Sequence, residues 1–336
     1  MVFVFQKLLK QHYGIDAMES SPIGHYQSCK DEQQRYLLIP VQQKDEEVIL
    51  ELEQIVQHLK RTGDRNVSTF ITTKEQKHVV EFDSNQYCVL SCSENHGRSL
   101  TRIGRKLAKF HYRGRSISFP VEKITRIGQW KSLWEKRIDQ MEKAWNEMIR
   151  HDPENEFDAM FFESFPYYMA IAENAIQYLV DTELDDDPKE IDYGTVCHIR
   201  FSNHTWGDEI IMKNPFDWVL DHCSRDMAEW TRERYFYNYR TFEPEVLRFY
   251  EEYQSVQSLS SFSWRLLYAR LLFPIHYVEC IENYYSSQSE QEQRMLTERL
   301  EKFLQGSNDY EKFLGNFFQI VSAPVRKQNI PVLDWL

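Results

Sequence analysis

Thr195-Val196-Cys197-His198-Ile199-Arg200-Phe201-Ser202-Asn203-His204-Thr205 is the stretch on which the reading of this chain turns. It gathers an imidazole, a guanidinium, an amide and a hydroxyl, at His198, Arg200, Asn203 and Thr205, into one short loop. A loop that takes a proton from a substrate needs an acceptor. Arg200 has no lone pair to offer and does not deprotonate, so it cannot fill that role. Downstream stand Phe216-Asp217-Trp218 and Asp226-Met227-Ala228. His198, His204 and His222 lie near Asp208, Asp217 and Asp221 in the sequence, which invites a metal. None has the i, i+4 or CxxC spacing that makes a ligand set specific, and they read as structural histidines. No GxSxG supports a hydrolase elbow.

Working outward, 336 residues with 42% hydrophobic and 14% aromatic content are enough for one large domain or two lobes with a sizeable core. Fifty-two acidic against 40 basic side chains give −12, which argues against a general nucleic-acid or anionic-membrane surface. Arg98, Arg102, Arg105, Lys106, Lys109, Arg113 and Arg115 form a local basic cluster, read as a solvated helix face. The alternative is an adaptor patch for an acidic partner. Six cysteines without a CxxC pair indicate reduced thiols rather than a zinc ribbon or a disulfide framework. Met1 to Lys10 is too short for a signal-peptide core, so synthesis in the cytoplasm is expected. Phe262 to Tyr285 is apolar but interrupted by Arg265, Arg270, His276 and Glu279, which makes it a core helix and not a membrane span.

The first 95 residues read as a mixed lobe. Arg35–Val41 is strand-like, and the spacing of Val48, Leu52, Ile55 and Leu59, widened by Ile49 and Val56, predicts a helix over Asp45–Arg61 ended near Gly63. Strand-like runs follow at 66–73, 78–82 and 86–92, then a polar connector at Ser93–Arg98. Beyond it the chain turns helical. Ile127, Trp130, Trp134, Ile138, Met141, Trp145 and Met148 make one core stripe. A second helix is expected to start at Ser164, as N-cap, with Pro166 in its first turn, and to end in a solvated acidic spacer, Asp181–Asp192. Further helices are expected over 226–239, 244–257, 261–285 and 290–304.

The loop resembles the catalytic loop of aminoglycoside and choline kinases, which carry His-Gly-Asp there and an Asn five residues after the Asp. His198 matches, Arg200 stands at the aspartate and Thr205 at the metal-binding Asn. Asp217 lies 19 residues past His198 and resembles the aspartate of the Ile-Asp-Trp run; counting back from Asp226 points to Asn214 instead, and Asp217 is preferred because Lys213-Asn214-Pro215 is a poor strand end. Gly104-Arg105-Lys106-Leu107-Ala108-Lys109-Phe110-His111 resembles the segment just past the lobe connector. With Tyr268-Ala269-Arg270-Leu271-Leu272-Phe273-Pro274, the ordered set resembles the bacterial spore-coat-associated kinase-like family, CotS and its relatives, over roughly residues 25 to 285.

That resemblance implies an α+β, two-lobed protein-kinase-like fold of the aminoglycoside/choline kinase type, with a small lobe over 1–95 and a large lobe over 96–336. Transfer chemistry is mostly positioning and electrostatics, and it needs a small-lobe lysine, a carboxylate to orient it, a catalytic Asp and a metal Asp. No lysine lies between Lys30 and Lys44, where the position falls near Ile39 or Pro40, and Glu47, Glu51 and Glu53 then read as surface acids. Gly14 and Gly24 are isolated, so no Gly-rich phosphate loop precedes the strand. The expectation is a pseudokinase of the spore coat, bound to other coat proteins, with no cofactor. The alternative is an active small-molecule kinase of hydroxyls or amines, using ATP and Mg with carboxylates relocated to Asp208, Asp217 or Asp221.

Overall fold

The structure, a computed structural model, describes residues 2–20, 22, 26–32, 34–41, 46–93, 102–151, 153–206 and 212–335. The expected helix start at Asp45, the connector residues 94–98 and Asp208 lie outside them. The chain divides into two compact units, one of residues 1–125, 194–221 and 252–257, the other of 126–193, 222–251 and 258–336. This division differs from the lobes 1–95 and 96–336, since the segment after the connector and the 194–221 loop pack with the N-terminal sheet.

In the first unit, helix α1 (Val2–Leu8) runs into a π-helical turn, Leu9–Tyr13, stopped by Gly14 at φ 75°. Strands β1 (Glu19–Ser20), β2 (Gln27–Lys30) and β3 (Gln34–Pro40) lead to helix α2 (Glu46–Arg61), then β4 (Thr69–Ile71), β5 (Val79–Phe82) and β6 (Asn85–Ser93). All pairings are antiparallel, in the order β1-β2-β3-β6-β4 with β5 also on β6. Four successive buried residues, Tyr36–Ile39, make β3 a central strand covered on both faces. Leu38 pairs with Val89 on the face that packs on Phe5, Leu8 and Leu9; Leu37 and Leu90, one residue along, point to the opposite face. The sequence reading found β3, β4, β5 and β6 but neither α1 nor the short β1 and β2.

Helix α2 buries Ile49, Leu52, Ile55, Val56 and Leu59, while Val48 is only half-buried, so the stripe is centred one residue later than expected. Gly63 follows at φ 94°, a left-handed value that ends the helix where the sequence placed it. Helix α3 (Ile103–Arg115) comes next, and strands β7 (Thr195–His198) and β8 (Trp218–Asp221) form a separate antiparallel pair.

The second unit is helical: α4 (Trp130–Met148), α5 (Glu156–Asp185), α6 (Ser224–Tyr237), α7 (Glu243–Gln254), whose last turn counts with the first unit, α8 (Ser261–Leu272), α9 (Ile275–Ser286), α10 (Glu290–Gln305), α11 (Ser307–Ile320) and the single turn α12 (Val325–Gln328). Trp130, Trp134, Ile138 and Met141 form the α4 core stripe, but Ile127 is exposed and precedes the helix. Helix α5 begins eight residues before Ser164, at an Asn155 cap that accepts from Asp158 N. Pro166 therefore sits inside the helix, where it cannot donate to the Phe162 carbonyl. The Trp145 indole fills that gap, donating to Phe162 O at 2.9 Å. Ser164, the expected cap, instead donates to Met160 O at 2.6 Å. The run 261–285 is broken at Pro274 into α8 and α9. Arg270 within it pairs with Glu229, which also holds Arg232, and lies over the Trp130 ring, so this charge in the apolar run is paired inside the core. Among the described residues, no helix is long and apolar enough to cross a membrane.

Candidate functional site

Strand β7 is seated on α3 by one glycine. A Cβ on Gly114 would lie 2.5 Å from Thr195 Oγ1 and 2.6 Å from Val196 N, so only hydrogen fits at this crossing. Thr195 Oγ1 donates to His111 O at 2.6 Å, and His111 Nδ1 meets Tyr253 OH at 2.8 Å, which fixes the strand against the helix with buried polar groups all paired. At the strand's end His198 pairs in register with Trp218 of β8.

His198 is 1% exposed. Its ring lies among Phe110, Phe201 and Trp206, with centroids at 5.2, 4.9 and 5.7 Å. The Trp206 indole N–H donates to His198 Nε2 at 2.9 Å; indole only donates, so Nε2 is the acceptor. Arg200 is half-buried and turns back to donate to Ile199 O at 3.3 Å. Thr205 closes the loop on itself: its Oγ1 accepts from Ser202 N at 2.7 Å and donates to Arg200 O at 3.2 Å. Asn203 sits half-buried and His204 exposed on the intervening turn. The positions of the expected catalytic loop thus share one turn, and the hydrogen bonds of His198, Arg200 and Thr205 hold that turn together.

The following segment is anchored differently. Ile199 N donates to Asp217 O at 2.7 Å, which ties loop to segment through the backbone. Asn214 is buried and its amide is committed twice: Oδ1 accepts from Phe216 N at 3.1 Å, capping the turn Pro215–Asp217, and Nδ2 donates to Tyr26 OH at 3.1 Å. Asp217 is half-buried and accepts from Tyr26 OH at 3.4 Å. Burial, with the Asp217 charge beside it, pushes the Tyr26 phenol up to about 12. Of the two registers, only Asp217 offers a carboxylate, of the kind Mg²⁺ takes alongside phosphate oxygens and water. Asp221, at the end of β8, is buried.

Lys213 is the pivot of this segment. Its Nζ lies 2.6 Å from Asp64 Oδ2 and over the Phe110 and Trp206 rings at 4.6 and 4.4 Å; Arg113 reaches the same carboxylate at 3.3 Å. Burial pushes the ammonium down from its ordinary range, against the pull of Asp64. Backbone bonds from Lys213 N to Asn66 O and from Ser68 N to Lys213 O bind the segment to the turn before β4. Of the α2 acids expected at the surface, Glu47 is exposed as read, while Glu51 and Glu53 are half-buried and bonded. Glu51 accepts from the backbone of Glu122, Lys123 and Ile124 at 2.6 to 3.1 Å, Glu53 meets His78 at 3.3 Å, and Glu47 pairs with Lys123. The loop 122–124 is organised around the half-buried Glu51 carboxylate.

In the second unit the acidic spacer is not wholly solvated, since Asp192 is 5% exposed. It accepts from Ser260 Oγ at 2.6 Å, Ser263 Oγ at 2.5 Å and Lys189 N at 2.9 Å, with His222 Nε2 at 3.5 Å. Burial raises the carboxyl, but the bonds from His222 and the two serines outweigh it and bring it to about 2. Burial lowers the His222 imidazole, and Cys223 and Asp192 outweigh that, raising it to about 9. These residues are 30 and 68–71 positions apart, and no local motif announces them. Of the three candidate histidines, each has its own surroundings: an aromatic cage, an exposed turn and a buried carboxylate.

Among known proteins the chain is similar to endospore coat-associated protein YutH of Bacillus subtilis (strain 168), 42% identical over 329 residues, 98% of this chain and 97% of that protein. Solved structures with the same fold include an aminoglycoside phosphotransferase from Alicyclobacillus acidocaldarius (TM-score 0.65, 14% identity, 91% of this chain and 93% of that one). A spectinomycin phosphotransferase bound to ADP and spectinomycin (0.62, 17%, 95% and 97%) and a microcompartment-associated aminopropanol kinase (0.59, 13%, 92% and 99%) are further examples. The expected α+β fold of the aminoglycoside kinase type is the observed one. The family described as "Spore coat putative kinase YutH" matches residues 6–317, and the chain belongs to it.

Proposed function

We propose that the chain is a spore-coat-associated pseudokinase, a kinase-type fold kept as a non-catalytic scaffold that binds other coat proteins. The coat role is supported by family membership and by the 42% identical relative named as endospore coat-associated. The observation that carries the non-catalytic reading is the closed loop, with Arg200 where an aspartate would accept the substrate proton and Thr205 bonded back to Ser202 and Arg200. A guanidinium there repels a cationic metal and cannot take a proton. A tagged chain produced in a sporulating Bacillus should fractionate with extracted coat protein, and purified chain with labelled ATP should transfer no phosphate to a panel of small alcohols and amines. Recovery only in the core fraction sinks the first half; transfer above a heat-treated control sinks the second.

One observation favours a second reading, an active small-molecule kinase: the half-buried Asp217 carboxylate beside Tyr26 is of the type that holds Mg²⁺ on a nucleotide. ATP and Mg would then be its cofactors. On that reading Asp217→Ala abolishes transfer, and retained transfer removes its main residue.

A further inference from the structure

Helix α3 has two faces with different tasks. Ile103, Leu107, Ala108, Phe110, His111 and Gly114 are buried, and Arg113, on the flank, is spent on Asp64. Arg105, Lys109 and Tyr112 fall within about 60° of one another around the axis and line the outer face, continued by Arg102 at its start. Tyr112 is 67% exposed. Residues 95–121 contain no acidic side chain at all, so within a chain of net charge −12 this face is a concentrated cationic stripe with an aromatic in it. Arg and Tyr are the residue types that anchor protein interfaces.

The same chain displays a matching surface. At the C-terminal end of α5, Glu183, Asp185, Asp187 and Glu190 are exposed and Asp186 half-buried, around Leu184, which is 78% exposed. Of these, Asp185 pairs with Arg265. The cationic stripe from Arg102 to Tyr112 spans roughly 15 Å, and Glu183 to Glu190 reaches up to about 20 Å. The two surfaces are alike in length, opposite in charge, and each carries an exposed apolar group.

We propose that the outer face of α3 docks the Glu183–Glu190 segment of a second copy of this chain. Such a contact is heterologous, joining one patch to a different patch, so a pair of copies keeps one free patch of each kind and short open chains can grow. It depends on exposed charges and is screened by salt. It holds whether or not the loop transfers phosphate.

The test is sedimentation velocity on the purified full chain from about 1 to 200 µM in dilute and in ~0.5 M salt. The wild type should associate in dilute salt and dissociate in the concentrated buffer. The double variants Arg105→Glu/Lys109→Glu and Asp186→Lys/Asp187→Lys should each stay monomeric, with thermal melts like the wild type, since none of these four side chains has a partner among the described residues. An equimolar mixture of the two variants should associate again, because each supplies the patch the other lacks. A wild type that is monomeric throughout overturns the proposal, and so does association that survives reversal of the α3 charges. Loss with the α3 variant but not with the Asp186/Asp187 variant overturns the choice of occupant.

Discussion

The loop 198–206 and the segment 213–217 adjoin in one unit and use their polar groups in different ways. In the loop, His198 accepts from Trp206 inside an aromatic cage and Thr205 closes the turn on Arg200 and Ser202. In the segment, Asn214 and Lys213 are committed to the fold, and the half-buried Asp217 keeps a carboxylate that accepts from Tyr26 OH at 3.4 Å. The difference teaches that adjoining stretches of one backbone can put similar polar groups to different uses. Arg200 and Thr205 bond within their own turn, whereas the Asp217 carboxylate accepts from Tyr26, 191 positions away.

The anchoring of the segment gives the largest expected effect. Asp64→Ala leaves Lys213 buried and unpaired, and a urea melt should record a loss of about 3–5 kcal/mol. Asp64→Leu combined with Lys213→Met should recover most of it, because a buried pair is worth little against apolar groups of similar volume. A cost below ~1 kcal/mol for Asp64→Ala would mean the pair does not anchor the segment.

Gly114→Ala comes next, at about 3 kcal/mol by the same melt, since the new methyl meets the backbone of Val196 and not a movable side-chain tip. It tests whether α3 is the seat of the loop.

The second unit supplies a region away from both, with a pH signature. His222 is raised from 6.5 to about 9, so its contribution is fully present below pH 6.5 and is lost as pH rises through 9. Asp192 is lowered from 3.8 to about 2, so its contribution is present above pH 3.8 and is lost as pH falls through 2. Stability from this pair should be greatest between those limits, pH 3.8 to 6.5, and fall by on the order of 2–3 kcal/mol toward pH 9. His222→Gln should flatten that fall in melts taken at successive pH values; an unchanged slope would remove His222 as its source.

The smallest effects sharpen the comparison directly. Thr205→Val strips an acceptor from Ser202 N and should cost about 1–2 kcal/mol, whereas Asp217→Asn should cost under about 0.5 kcal/mol. Equal costs would erase the distinction between the loop, whose side-chain bonds close its own turn, and the carboxylate of the segment.

Much of this was legible in the sequence where periodicity or order carried it. Leu52, Ile55 and Leu59 gave α2, and His198, Asp217 and Asp226 in order gave the fold type. What escaped was set by partners far along the chain. Pro166 reads as a first-turn proline because nothing local reveals that the Trp145 indole satisfies Phe162 O. The Lys213–Asp64 pair joins residues 149 positions apart, and Asp192 is hidden at the end of a run of ordinary surface acids. Glu51 looked idle because its partners are backbone N–H groups, which no residue type announces.

The central claim, that the loop's polar groups serve the fold and not transfer, is tested most directly by titrating MgATP into the purified chain in a calorimeter. The expected result is no saturable heat up to millimolar nucleotide. Micromolar binding that Asp217→Ala abolishes, accompanied by turnover on a small alcohol or amine, would contradict it.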